Sequence, residues 1–302
     1  MKGPKNLAAS IRKRLLNGAH ARGEEFNFTL SRYAIEGFLR RVVATGLGQR
    51  FVLKGASLFV LWSGTPHRAT WDLDLLGRER ATVLEIVELF RKVCGTAAEP
   101  DGLAFDPASI LAEEIREDTE YGGVRVRMRA ELGEAEVALQ VDVGFGDVIV
   151  PAPQIQFYPA LLGGQTIPIL AYPREAALAE KLEALVALGM RNSRMKDYYD
   201  LQHMGKHLQF AGHQLVESIA HTFRHRGTPI PEGAPIGLTQ EFAEAPERAA
   251  QWRAFVRRGR LPAGLDLPSL IASLRGFLLL PLSAVKEGAL FERSWSPGGP
   301  WR

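Results

Sequence analysis

Cysteine is nearly absent: Cys94 is the only one in 302 residues. A single thiol closes no internal disulfide and supports no cysteine-ligated zinc site, so the chain suits a reducing compartment. Long apolar runs are scarce too. The most apolar late stretch, 277–285, is too short to span a bilayer and holds Pro281. Lys2, Lys5, Arg12, Lys13 and Arg14 have no apolar core between them, so the start does not read as a secretory signal. A cytoplasmic protein with no membrane segment is expected. Charge of one sign is not in large excess: the net value of +3 permits a nucleic-acid partner without requiring one. There is no GxxxxGK[ST] phosphate loop and no Gly-x-Ser-x-Gly elbow. His203 and His207, like His221 and His225, are four apart, but neither pair carries the glutamate of a zinc-protease motif. Repeats and low-complexity tracts are missing.

What remains is an ordinary globular composition, 46% hydrophobic and 24% charged, long enough for one large domain or two ordinary ones. Residues 51–76 organise it: FVLKGASLFVLWSGTPHRATWDLDLL. Phe51 to Leu53 suit a short buried strand. Gly55 breaks the pattern ahead of an apolar helix from Leu58 to Trp62, which Gly64 and Pro66 end. A strand then carries Asp72 and Asp74 on one face and Trp71, Leu73 and Leu75 on the other. Adjacent carboxylates repel unless a cation lies between them, and a hard divalent ion such as Mg²⁺ suits oxygen donors. The turn Gly55-Ala56-Ser57, between strand and helix, has the form of a phosphate cradle. The plain alternative is two exposed aspartates on an edge strand.

Helices are expected over 5–19 and 28–45, the second with Tyr33, Phe38, Leu39 and Val42 near one face and Arg40 and Arg41 on a solvated edge. An amphipathic helix follows over 81–93, then a turn at Glu99-Pro100-Asp101-Gly102. Strands are expected over 110–118, 122–132, 136–145 and 154–158. In the second of these, Arg125, Arg127 and Arg129 alternate with apolar residues. They read either as a solvated face or as a phosphate-contacting stripe for RNA. In the third, Asp142 faces away from Val137, Leu139, Val141 and Val143. Beyond Pro173 the character becomes helical. Arg194 with Asp197, and Lys196 with Asp200, have the spacing of intrahelical ion pairs, and Lys181 has Glu180 and Glu183 close by. Trp252 and Phe255 are expected to anchor a basic helix end whose Arg257, Arg258 and Arg260 are the candidates for nucleic-acid backbone contact. A packing helix over 265–282 is expected to break near Pro281, and the tail from Trp295 to Arg302 to be mobile.

Gly-x-Ser, a helix and Asp-x-Asp together resemble the signature of the polymerase-β-like nucleotidyltransferase superfamily. With Asp142, Ala179-Glu180-Lys181 and Arg194-x-Lys196-Asp197-x-x-Asp200 following in order, residues 50–205 resemble the AbiEii-type nucleotidyltransferase toxins of type IV toxin–antitoxin and phage-defence pairs. The resemblance implies an α+β fold: a mixed-sheet core with flanking helices over 1–165, then a mainly helical domain over 166–302. It implies an enzyme that transfers NMP from an NTP, with Mg²⁺ or Mn²⁺, to an acceptor such as the 3′ end of tRNA, blocking translation. A cognate antitoxin is implied as a functional partner, with no direct binding required. Asp72, Asp74 and Asp142 (Asp147 in reserve) would hold the metals. Lys54, Gly55, Ser57, Lys181, Arg194 and Lys196 would hold the nucleotide, and Asp72, Asp74, Lys181 and Asp197 would serve catalysis. Transfer to a protein or small molecule, and non-catalytic nucleotide or RNA binding, are the rival readings.

Overall fold

The apolar spacing in the N-terminal region folds as a pair of helices, α1 (Pro4–Arg22) and α2 (Phe26–Ala44). The structure is a computed structural model that describes residues 4–98, 100–115, 122–262 and 264–302. Lys2 and Glu99, and the last part of the strand expected over 110–118, lie outside the described residues. The chain forms two compact units. Unit 1 comprises Met1–Asp147 and Gln154–Ala171, and unit 2 comprises Val148–Pro153 and Tyr172–Arg302.

In unit 1 the elements after α2 run β1 (Phe51–Lys54), α3 (Leu58–Ser63), β2 (Asp72–Gly77), α4 (Val83–Gly95), β3 (Leu103–Ile115), β4 (Gly123–Leu132), β5 (Ala135–Phe145), β6 (Gln154–Tyr158) and β7 (Ile167–Ala171). They form a mixed seven-stranded sheet in the order β3-β4-β5-β2-β1-β7-β6. The β2–β5 and β1–β7 pairs are parallel and the others antiparallel. Because β7 pairs with both β1 and β6, unit 1 continues to Ala171, beyond the boundary expected at residue 165. The core lies on the face where Leu73, Leu75, Val141 and Val143 are buried, beneath α2 and α4. Phe90 packs 5.1 Å from Phe38 and 6.0 Å from Phe51, ring centre to ring centre. Cys94 is buried there beside Met128, and burial pushes its thiol up to about 11, which keeps it unreactive.

Several expectations shift for local reasons. The helix read from residue 81 begins at Val83, because Thr82 and Glu85 form a reciprocal capping box. The strand read from residue 110 begins at Leu103: Pro107 interrupts the apolar pattern but falls in a register shift between Asp106 and Leu111, on an edge strand that tolerates it. Trp71 does not join Leu73 and Leu75 in the core; it precedes β2, is 45% exposed, and rests edge-on against Phe28. Arg41 is buried, not solvated. It donates to Asp101 at 2.6 and 3.1 Å and to the Leu103 carbonyl at 3.1 Å, and it lies over the Phe105 ring.

Unit 2 is mainly helical: α5 (Arg174–Leu188), α6 (Met195–His207), β8 (Phe210–Ala211), α7 (Gly212–His225), α8 (Gln240–Glu244), α9 (Pro246–Arg258), α10 (Leu267–Glu287) and β9 (Ser294–Trp295). Among the described residues, α10 is the one helix long and apolar enough to cross a membrane. Leu270, Leu274, Phe277 and Leu278 on one side of it are buried as α10 packs on α6, α7 and α8, while Leu280 is exposed.

Two expectations are overturned together here. α10 does not break near Pro281 but continues to Glu287, and the tail is not mobile. Proline has no N–H, so Pro281 leaves the Phe277 carbonyl, four residues earlier, without its helical donor. The Trp301 indole N–H donates to that carbonyl at 2.8 Å. The tail is held further by β9 pairing with β8 and by the Trp295 indole N–H, which donates to the Gly205 carbonyl at 2.7 Å. Trp301→Phe should therefore lower stability by about 1–3 kcal/mol by leaving a buried carbonyl unpaired. The loss should be smaller in a Pro281→Ala background, where the helix regains its own donor, and paired denaturant melts of the four proteins would measure the difference.

Candidate active site

Strand register builds the site in unit 1. β1 and β2 pair so that Lys54 lies opposite Asp74. β2 and β5 run parallel with Asp74 opposite Asp142 and Asp72 opposite Gln140. β4 and β5 are joined by a two-residue turn whose first residue, Gly133, has φ +65°, the conformation a type II′ hairpin needs there. That turn sets Arg125 opposite Asp142, and β3 sets Glu113 opposite Arg125. Residues opposite one another share a face, so Lys54, Asp74, Asp142, Arg125 and Glu113 form one row across five strands. Two carboxylates sit in the middle with a cation on either side.

Side-chain contacts follow this row. Arg125 grips Asp142 with both arms of its fork, Nε to Oδ1 at 2.8 Å and Nη2 to Oδ2 at 2.7 Å. The hydrogen bonds to Asp142 hold the guanidinium still more firmly protonated than usual. Lys54 bonds Asp147 at 2.7 Å, so the residue held in reserve as a metal ligand is a lysine partner here. The arginine stripe is matched by acidic partners along its length: Arg127 with Glu113 at 2.9 Å, and Arg129 with Asp106 at 3.4 Å.

The turn before α3 completes the site. Gly55 has φ +68°, and a Cβ built there would stand 1.9 Å from Asp74 Oδ2. The backbone of Gly55 thus forms the floor against which the Asp74 carboxylate lies, and only glycine fits. Gly55–Ser57 is a 3-10 turn leading directly into α3, with Ser57 buried. Asp72, Asp74 and Asp142, all-oxygen donors on one face of adjoining strands, suit a hard divalent cation by type. As they stand, no group of three or more His, Cys, Asp or Glu among the described residues is gathered closely enough to hold one.

Unit 2 carries its own charged cluster. The Lys181 ammonium, on α5, bonds Asp197 at 2.7 Å and Asp200 at 2.8 Å, both on α6. Neither Glu180 nor Glu183 takes that place: Glu183 accepts from Arg226 at 2.9 Å and from the Thr228 hydroxyl at 2.5 Å. Arg194 does form the intrahelical pair with Asp197 that its spacing suggests, at 2.6 Å. Asp197 and Asp200 are 3% and 0% exposed. Burial alone would push the Lys181 ammonium down, but the two aspartates outweigh it and its pKa is raised. Burial likewise acts to raise the Asp197 carboxyl, and Lys181 and Arg194 overcome it to lower its pKa. Asp200 was not singled out as a site residue from the sequence, although its three-residue spacing from Asp197 puts both on one face of α6. Lys196, Arg257 and Arg258 are exposed, while Trp252 and Phe255 face inward, Trp252 donating to the Leu265 carbonyl at 2.9 Å.

Lys181→Met should destabilise the protein by about 3–5 kcal/mol, since two buried carboxylates lose their shared cation. The pH dependence follows from the two directions. A lowered Asp197 pKa contributes stability present above the unfolded value, about 4, and lost as pH falls through the folded one. A raised Lys181 pKa contributes stability present below the unfolded value, about 10.4, and lost as pH rises through the folded one. Thermal melts should show a plateau between these limits, and Asp197→Asn should weaken the acid-side fall.

A family model described as the nucleotidyl transferase AbiEii toxin of type IV toxin–antitoxin systems matches residues 37–270. No curated protein matches the chain. Among solved structures the chain is similar to JHP933 from Helicobacter pylori, at 16% identity and TM-score 0.48, covering 85% of this chain and 94% of that one. It is similar also to MenT4, a nucleotidyltransferase toxin from Mycobacterium tuberculosis H37Rv, at 18% identity and TM-score 0.47, covering 91% and 98%. A nucleotidyltransferase-like protein from Paracoccidioides brasiliensis is more distant, at 16% identity and TM-score 0.33, covering 78% and 92%. With most of its length under the family model, the chain belongs to the AbiEii nucleotidyltransferase toxin family.

Proposed function

We propose that this nucleotidyltransferase moves NMP from an NTP to the 3′ end of a tRNA in the cytoplasm, and so acts as the translation-blocking member of a pair with a cognate antitoxin. The observation that carries the reading is the meeting of Asp74 with Asp142 across β2 and β5, beside the Gly55 turn that leads into α3. Two neighbouring carboxylates beside a glycine turn suit a polyanionic substrate only with cations present.

In this reading Asp72, Asp74 and Asp142 hold Mg²⁺ or Mn²⁺, which when bound supplies charge neutralisation at the phosphates and activation of the acceptor hydroxyl. Gly55 offers backbone N–H groups without a side chain in the way, Ser57 joins it in holding the phosphates, and Lys54 adds a cation at the strand end. Lys181 serves a phosphate group, its ammonium kept charged by Asp197 and Asp200. Asp197 holds that ammonium in place as well as belonging to the catalytic set, with Arg194 and Lys196 adding nucleotide contacts. Phosphoryl chemistry of this kind asks the protein for positioning and charge more than for covalent participation. The exposed Arg257 and Arg258 supply backbone contact for the RNA. Arg125, Arg127 and Arg129, already matched to acidic side chains, contribute less free charge to it.

Incubation with Mg²⁺, total tRNA and each α-labelled NTP in turn tests the reading. One NTP should label tRNA, and Asp72→Asn and Asp74→Asn should each cut labelling by about 10²-fold or more while far-UV circular dichroism stays unchanged. Label entering protein or a small molecule instead would move the acceptor; nucleotide binding with no label in any fraction would leave a sensing protein.

A further inference from the structure

Unit 1 holds a second charged site, on the opposite side of the sheet from the carboxylate row. A cavity of about 200 Å³, well beyond what one water needs, has Arg22, Arg32, Glu36 and Tyr158 in its polar lining and Val60, Pro159 and Leu161 in its apolar lining. Strand register separates it from the row. Gln154 pairs through Ala171 with Leu53, and Leu53 pairs with Leu75 on the core face. Tyr158, four residues from Gln154 along β6, shares that face, whereas Lys54 and Asp74 alternate to the other.

The charges around the cavity do not cancel. Glu24 accepts from Arg32 Nη1 at 3.1 and 3.3 Å and from the Thr29 hydroxyl at 3.0 Å, and Arg22 Nε stands 2.9 Å from it. Glu36 has both oxygens occupied, by Arg40 and by the Leu161 N–H, each at 2.7 Å. Three arginines therefore meet two glutamates, and Arg14, bonded to the Leu162 carbonyl, adds a further positive charge nearby. A guanidinium stays charged at any pH a folded protein meets, so the excess is not relieved by losing a proton. The Arg32 side chain is only 11% exposed, and burial outweighs Glu24 in lowering its pKa. Its Nε–H and Nη2 hydrogens have no protein acceptor among the described residues. The Tyr158 hydroxyl likewise has no protein partner among them, though the residue is 5% exposed, and burial pushes its pKa up to about 12, so it keeps its proton. Buried donors without acceptors are rare and call for a partner.

We infer that this cavity is a binding site for a small organic oxyanion, a carboxylate or a phosphate ester. Arg22, Arg32 and the Tyr158 hydroxyl hold its charged head, and Val60, Pro159 and Leu161 receive its apolar body. Guanidinium forks suit such heads in geometry as well as charge. The site is independent of the nucleotidyl-transfer reading, because its residues and its face of the sheet are different.

Calorimetric titration of the full-length protein with phenyl phosphate, benzoate and the neutral benzyl alcohol tests the site without reference to turnover. At least one of the two anions should bind saturably with Kd below about 1 mM, and benzyl alcohol should not. The tighter of the two anions identifies the head group. Arg22→Gln, at the end of α1, leaves the Arg32–Glu24 pair in place and should weaken binding about tenfold. Arg32→Gln should weaken it at least as much; if that variant fails to fold, Arg22→Gln and Tyr158→Phe carry the test, the latter with a loss of about threefold or more. Lys54→Gln removes a cation from the opposite face and should change affinity by no more than about twofold. No saturable binding of either anion, or equal binding of benzyl alcohol, would overturn the site. Anion binding that is lost in Lys54→Gln but unchanged in Arg22→Gln and Tyr158→Phe would overturn it too, by placing the anion on the carboxylate-row face.

Discussion

Two carboxylates placed side by side on neighbouring strands govern the rest of unit 1. Strands lie about 4.8 Å apart, so Asp74 and Asp142 repel unless positive charge is close. The sheet answers with a cation on each side, Lys54 on β1 and Arg125 on β4, and Glu113 beyond Arg125. Every member of that row is set by strand pairing, so a one-residue slip anywhere would turn a charged side chain into the apolar face under α2 and α4. The same row explains why Gly55 is glycine: the turn must pass under the Asp74 carboxylate, and a Cβ would occupy its oxygen. The chemistry and the folding of the sheet therefore draw on one arrangement of charge.

Unit 2 meets a similar problem with more burial. Asp197 and Asp200 are almost wholly out of water, where an unpaired carboxylate is costly. Lys181 lies against both, and Arg194 reaches Asp197 from the helix start. Such a cluster adds little net stability over apolar packing, but it holds an ammonium charged and oriented at a fixed place between α5 and α6. Elsewhere in unit 2 the tail performs a structural task. A proline within α10 frees a carbonyl that Trp301 satisfies, tying the end of the chain to the helix it would otherwise weaken.

Much of this was legible in the residues alone. Alternation in β2, β4 and β5 told which side chains share a face, because the strand period is two and depends on no partner. Gly55, Gly64 and Pro66 marked the turn and helix around the Asp-x-Asp strand through their own backbone preferences. The order of Gly-x-Ser, Asp-x-Asp and the lysine and aspartate blocks carried the family and with it the mixed sheet and helical region. Even the Arg125–Asp142 partnership was within reach, since the two-residue turn at Gly133 fixes the pairing of β4 with β5.

Other features depend on groups distant in sequence. Arg41 has the spacing of a surface residue, and only Asp101 and Phe105, brought over by folding, make its burial tolerable. Lys181 has glutamates on its own helix, yet its charge goes to α6, because helix packing places two buried carboxylates there that have greater need of it. Pro281 and the aromatic tail each read locally as a disruption, and their compensation exists only once Trp301 reaches Phe277. Local periodicity and backbone preference are properties of a few adjacent residues and can be read in a string. Pairing of buried charges and polar groups is settled by which desolvated partners the fold brings within hydrogen-bond reach, and that is a property of the packed chain.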